Sequence, residues 1–140
     1  LFMRAKKIQT IQQCLYRYIY SKGSLSSQIN KGIYVSFYKS FEVTKSFNEC
    51  DEYPEEIEFH GIKTILYGAV LNAFQAGVPK TEIKRVVDSF EREYPYWHKN
   101  KYILHYPQRK RFFLNLVKNH HFLMLRLYVF AQNLYLKLFS

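Results

Sequence analysis

The chain has 140 residues, of which 48% are hydrophobic and 19% aromatic, and a formal net charge of +10. That is ample apolar material for one modest core, and it excludes a disordered chain. Cys14 and Cys50 are the only cysteines; they match no zinc spacing and no disulfide framework, so a reduced, cytoplasmic setting is the simplest expectation.

The charge is unevenly spread. Residues 1–94 carry 13 Lys+Arg against all 11 acids, whereas residues 95–140 carry 8 Lys+Arg and no acid. A basic tail of this kind calls for an anionic partner: phospholipid, nucleic acid or an acidic protein surface. The first residues show no signal-peptide pattern.

In chain order, residues 1–8 read as the last turns of a helix, with Arg4, Lys6 and Lys7 near its C-terminal end, where the helix dipole favours cations. Residues 8–20 follow as a strand, because Leu15, Tyr16, Arg17, Tyr18, Ile19 and Tyr20 form a β-branched and aromatic run. Gly23 ends it in a loop that carries Ser24, Ser26 and Ser27 beside Arg17 and Lys22. Two readings stand side by side. One is a solvated turn and a Ser cap for the next helix. The other is an anion site, since cations beside a Ser/Gly loop suit phosphate.

Residues 31–50 have helical period, with Ile33, Tyr34, Phe37, Tyr38 and Phe41 on one face. The acidic stretch NECDEYP breaks it, because Pro54 disfavours helix at Tyr53. Residues 55–76 are the clearest helix, with a wide apolar stripe through Phe59, Ile62, Ile65, Leu66, Ala69, Val70, Ala73 and Phe74. Gly77 and Pro79 are its stop signals. Residues 80–94 place Ile83, Val86, Val87, Phe90 and Tyr94 on a buried side, and Glu82, Lys84, Arg85, Asp88, Glu91 and Arg92 on a solvated one. Residues 95–107 (PYWHKNKYILHYP) form an aromatic knot between two prolines. Trp97 and its tyrosines either pin the knot to the helices or offer a sugar-stacking or lipid-interface site.

Residues 108–139 read as a single helix, about 45 Å long at roughly 1.5 Å per residue. Phe113, Leu116, Val117, His120, Met124, Leu127, Ala131, Leu134, Tyr135 and Leu138 make its apolar stripe. Charged residues interrupt every window of spanning length, so it does not cross a membrane. It is either an interfacial helix that meets lipid through Arg109, Lys110, Arg111, Lys118, Arg126 and Lys137, or a helix packed on its own domain with a solvated basic face.

No catalytic constellation stands out. No carboxylate pair has a setting for acid–base work, and the five His residues form no ligand set. There is no Gly-rich phosphate loop and no nucleophile elbow. No catalytic or metal-binding residue is assigned in this chain.

The run LFMRAKKIQTIQQCLYRYIYSKGSLS resembles the segment that follows the catalytic acidic motif in family 2 glycosyltransferases: a basic patch, a strand, Tyr16-Arg17-Tyr18, then Lys22-Gly23-Ser24-Leu25-Ser26. Tyr94-Pro95-Tyr96-Trp97-His98-Lys99-Asn100 is similar to the aromatic-Pro-x-Trp-x-x-Asn knot of their C-terminal helical part, especially in enzymes of bacterial capsule or cell-surface polysaccharide synthesis. The resemblance implies the C-terminal portion of such an enzyme, without its nucleotide-binding half, Asp-x-Asp or Glu-Asp motifs. The fold expected is mainly α: residues 1–28 a remnant of the α/β catalytic domain, 29–107 a helical accessory lobe, and 108–140 a basic amphipathic helix.

For the parent enzyme it implies sugar transfer from a nucleotide-sugar to a lipid-linked or surface glycan, with Mg or Mn as the divalent metal. No cofactor is assigned to this chain. Arg17, Lys22, Ser24 and Ser26 would border the donor diphosphate or the acceptor. The basic tail would hold the enzyme at the cytoplasmic, inner face of the membrane, each cation near anionic lipid contributing roughly 1 kcal/mol. Alternatives are a non-catalytic helical interaction or membrane-surface module and, more weakly, a nucleic-acid-binding module. The tail is too apolar for the latter.

Overall fold

The computed structural model describes residues 32–47 and 52–139; among them the protein is mainly helical, with no strand. The order is α1 (Ile33–Lys45), α2 (Pro54–Gly61), a π-helical segment (Ile62–Ala69), α3 (Val70–Gln75) and α4 (Lys80–Glu93). Two 3-10 turns (Trp97–Lys99 and Lys101–His105) then lead to α5 (Gln108–Lys118) and α6 (Phe122–Phe139). The strand and Ser-rich loop expected over residues 8–27 lie outside the described residues.

α2, the π-helical segment and α3 follow one another without a break and form the central rod. Pro54 opens it at a position where its missing N–H would have had no partner. Glu55 and Glu56 occupy the first turn, where the dipole favours anions. In the widened middle, the Val70 N–H reaches back five residues to the Ile65 carbonyl. Ile62, Ile65 and Leu66 are fully enclosed there, each contributing about 1.5–3 kcal/mol by leaving water. α1, α4 and α5 all pack on this segment. Gly61 permits the closest approach: a Cβ there would lie 2.6 Å from ring atoms of both Phe41 and Phe90.

The rod ends as its Gly77 signal predicts. Gly77 is left-handed at φ 68. The Val78 N–H bonds the Ala73 carbonyl at 2.9 Å and the Gly77 N–H bonds the Phe74 carbonyl at 3.2 Å, the bond pair of a Schellman cap. Buried Val78 seals the cap from below. After Pro79, α4 buries Ile83, Val87 and Phe90 at helical spacing. α1 runs beside α4 in the same direction. Tyr34 donates to Glu82 at 3.1 Å, Tyr38 meets Ser89 at 3.4 Å, and Lys45 pairs with Glu93 at 2.7 Å.

The single helix expected over residues 108–139 is two helices. α5 stops at Lys118 and α6 starts at Phe122. The stop is a second Schellman cap: the His121 N–H bonds the Leu116 carbonyl at 3.0 Å and the His120 N–H bonds the Val117 carbonyl at 2.9 Å. His120 takes the left-handed position at φ 51. Left-handed geometry costs a non-glycine residue roughly 1–2 kcal/mol, though His accepts it more readily than most. Its Nε2 lies 3.1 Å from a Glu91 carboxylate oxygen, which ties the turn to α4. α6 then folds back on α5, so that Tyr128 lies against Phe112 and Phe113 and its hydroxyl reaches the Arg109 carbonyl at 3.5 Å.

Candidate functional site: the outer face of the C-terminal hairpin and its cationic flanks

The break at His120 resets the helical phase, and this decides which side chains face outward. Phe113, Leu116 and Val117 are buried as the apolar stripe predicts. Beyond the turn the stripe fails. Phe122, Leu125 and Val129 face the core, whereas Met124, Leu127, Ala131, Leu134 and Tyr135 are exposed. His120, placed on the stripe, sits in the turn and is exposed.

The outward side of α6 is therefore apolar. Leu123 is 71% exposed, Leu127 56%, Phe130 67% and Leu134 48%, and their spacing of four, three and four residues lines them along one seam. Met124 and Tyr135 widen the strip. An exposed apolar strip of this length marks an interaction surface. The core covers, among the described residues, only the side of Phe122, Leu125 and Val129. Among the described residues, no helix is long and apolar enough to cross a membrane.

The predicted cations surround the hairpin on several sides and do not share one stripe. Arg109 borders a cleft of about 280 Å³ along α6, with Tyr128, Gln132 and Tyr135. Lys110 is half-buried and engaged within the fold: its ammonium sits 4.9 Å from the ring centres of both Tyr67 and Tyr106, a cation–π arrangement. Arg111 and Lys118 come together on the opposite side of α5, bordering a cleft of about 150 Å³ with Trp97, His98 and Asn115. Arg126 is exposed on α6 itself. The Lys137 side chain lies outside the described ones, and Arg17, Lys22, Ser24 and Ser26 lie outside the described residues altogether.

The aromatic knot pins the structure. Trp97 is buried in the core, and its Nε1 donates to Glu91 at 3.3 Å. Asn100, the one buried polar residue among those described, staples the knot to α2. Its Nδ2 donates to the Glu55 carbonyl at 2.9 Å and to the Glu58 carboxylate at 2.6 Å, while its Oδ1 accepts the Tyr102 N–H at 3.1 Å. Tyr102 donates to Glu56, and Lys101 pairs with Glu55. That bond to Tyr102 is the main reason the Glu56 carboxyl sits below its ordinary range. Tyr96 projects outward.

One cluster escaped the sequence reading. Asp88, Glu91 and His120 each bring a ligand atom within 4.8 Å of the others, although Asp88 and Glu91 read as plain surface charges. They meet only because the α5–α6 turn docks on α4. Their atoms already serve Lys84, Trp97 and one another. Those contacts account for the cluster, and the Mg or Mn that the glycosyltransferase resemblance implies for the parent enzyme would belong to an Asp-x-Asp, a motif absent from this sequence. No family model, curated protein or solved structure matches the chain.

Proposed function

We propose that the chain is a helical lobe that seats a family 2 glycosyltransferase on an anionic membrane surface, with the outer face of α6 in the lipid interface. The observation that carries the membrane part is the apolar seam of Leu123, Leu127, Phe130 and Leu134, set in a 46-residue tail that holds 8 Lys+Arg and no acid. Apolar area with a cationic surround is the pattern of an interfacial helix, which lies in the headgroup region and does not span. The resemblance of Tyr16–Ser26 and of Tyr94–Asn100 supports the enzyme part. On that reading the nucleotide-sugar, the divalent metal and the glycan acceptor belong to the half preceding Leu1, and the lobe works at the cytoplasmic face, where a lipid-linked acceptor would lie.

Flotation on vesicles of phosphatidylcholine, with and without phosphatidylglycerol, tests the membrane part. Binding should rise steeply with the anionic fraction and fall with salt. Equal binding to neutral vesicles, or none to either, contradicts it. The same seam spacing also suits pairing with a second copy. Sedimentation without lipid decides between them: a concentration-independent monomer agrees with the lipid reading, and a stable dimer replaces it. The enzyme part is tested by the coding sequence upstream of Leu1. An Asp-x-Asp after a strand and a Glu-Asp just before Leu1 would support it, and an unrelated domain would overturn it. The divergence of Arg109, Lys110 and Arg111 around α5 argues against a continuous phosphate-tracking stripe for nucleic acid.

A further inference from the structure

We propose that the cleft between the aromatic knot and α5 is a phosphoryl-binding site, formed by Arg111, Lys118, Asn115 and His98 over the buried Trp97. The inference is independent of the glycosyltransferase reading and of the α6 seam, because the cleft lies on the opposite side of α5 from α6.

Arg111, Asn115 and Lys118 stand at positions i, i+4 and i+7 of α5, which puts them on one face. The 3-10 turn at Trp97–Lys99 brings His98 to the other wall. The open cleft has a volume of about 150 Å³, room for several waters and so for a phosphoryl group. The donors differ in kind. Arg111 offers a planar guanidinium fork, which matches phosphate oxygens in pairs. Lys118 offers a mobile ammonium. The Asn115 side-chain oxygen already accepts from Asn119 at 3.2 Å, which leaves its NH2 as a donor.

The balance of charge points the same way. Neither Arg111 nor Lys118 makes an ion pair among the described residues. His98 is held below its ordinary pKa by desolvation first, and then by the positive fields of Lys118 and Lys99. Glu91 and Glu58 also act on His98, in the direction that raises its pKa, while they accept from Trp97 and Asn100 and Glu91 meets His120. Two cations, Lys118 and Lys99, thus act on a ring that shares the cleft wall with the Arg111 guanidinium, a cationic setting that suits an anion. The ligand chemistry is a phosphate monoester, diester or diphosphate. A free phosphoryl compound and a lipid headgroup are both possible sources.

Trp97 is the only tryptophan in the chain, so its emission reports on this cleft directly. The full chain would be titrated at constant ionic strength with pyrophosphate in one arm and with monomeric short-chain phosphatidic acid in the other. The expected result is a saturable change in emission in at least one arm. Response to pyrophosphate alone assigns a soluble phosphoryl ligand; response to phosphatidic acid alone assigns a headgroup. Arg111→Gln with Lys118→Gln should raise the half-saturating concentration by at least about tenfold, the loss expected for removing charge-assisted hydrogen bonds. Lys39→Gln and Arg85→Gln, which lie off the cleft on the α1–α4 face, should change it less than about twofold. No saturable response in either arm overturns the proposal. So does equal weakening by the off-cleft pair, which would indicate a diffuse field and no site. Because the readout needs no vesicle, it is separable from the flotation result.

Discussion

The central π-helical segment and α6 carry similar apolar side chains and meet opposite surroundings. Ile62, Ile65 and Leu66 are enclosed on all sides, because Gly61 lets the rings of Phe41 and Phe90 close over the rod. α6 buries Phe122, Leu125 and Val129 and turns Leu123, Leu127, Phe130 and Leu134 outward. Hydrophobic content alone therefore does not say what is buried. Small residues at a crossing point allow neighbours to wrap the first helix, and among the described residues the second is covered on one side only. The first region is the folding core, and the second is the surface on which the functional reading depends.

The largest expected effect separates the two. Ile65→Ala should destabilise the protein by about 2–5 kcal/mol, since it opens a cavity in an enclosed core. Leu127→Ala should stay within about 0.5 kcal/mol, since the side chain already meets solvent. Urea denaturation of both variants measures this. Comparable losses would mean that α6 has a protein neighbour and would break the comparison.

Asn100→Ala is next. It leaves the Glu58 carboxylate and the Glu55 carbonyl short of a donor and frees the knot from α2. A loss of about 1–3 kcal/mol is expected, read by the same denaturation curves, with no change in vesicle binding by α6. His120→Gly follows. Relief of left-handed strain should gain up to roughly 1–2 kcal/mol, offset in part by the lost contact with Glu91. His120→Val, which has no such freedom, should lower the melting temperature. If both substitutions behave alike, the turn is not held in the left-handed region.

The smallest effect concerns pH. Burial first, and then Lys63, hold the His60 imidazole below its ordinary pKa, and His98 is lowered in the same sense. The unfolded chain then binds more protons than the folded one below the usual His value of about 6.5. Stability contributed by these neutral rings is complete above that pH and is lost as pH falls toward their folded values. The melting temperature should drop slightly between pH 7.5 and 5.5, and less so for His60→Gln. An unchanged slope in that variant would remove His60 from the account.

Much of the helical plan was legible in the sequence, for reasons that are local. The stripe from Phe59 to Phe74, the stop at Gly77 and Pro79, and the period of Ile83, Val87 and Phe90 need no tertiary information. The break at His120 was not legible, because neither Gly nor Pro announces it and a His in the left-handed region is held there by Glu91, 29 residues earlier in the chain. Without that break the stripe ran on from Phe113, Leu116 and Val117 through Met124, Leu127 and Leu134 as one face, whereas the turn leaves the first three buried and the last three exposed. The role of Asn100 was hidden for the same reason: its partners, Glu55 and Glu58, come from a different helix. Of the cations, Lys110 could not be told from its neighbours by type alone, because its cation–π partners, Tyr67 and Tyr106, come from elsewhere in the chain.

The most direct test of the central claim places a reporter on the seam. Phe130→Trp adds one indole to the outer face of α6, while Trp97 remains buried in the core. With vesicles of phosphatidylglycerol carrying bromine on their acyl chains, the added emission should be quenched strongly and the wild-type emission hardly at all. Quenching of neither protein, with the vesicles present in excess, would contradict a lipid-facing α6. Equal quenching of both would contradict it too, since it would mean that the core opens at the membrane and the outer face does not dock on it.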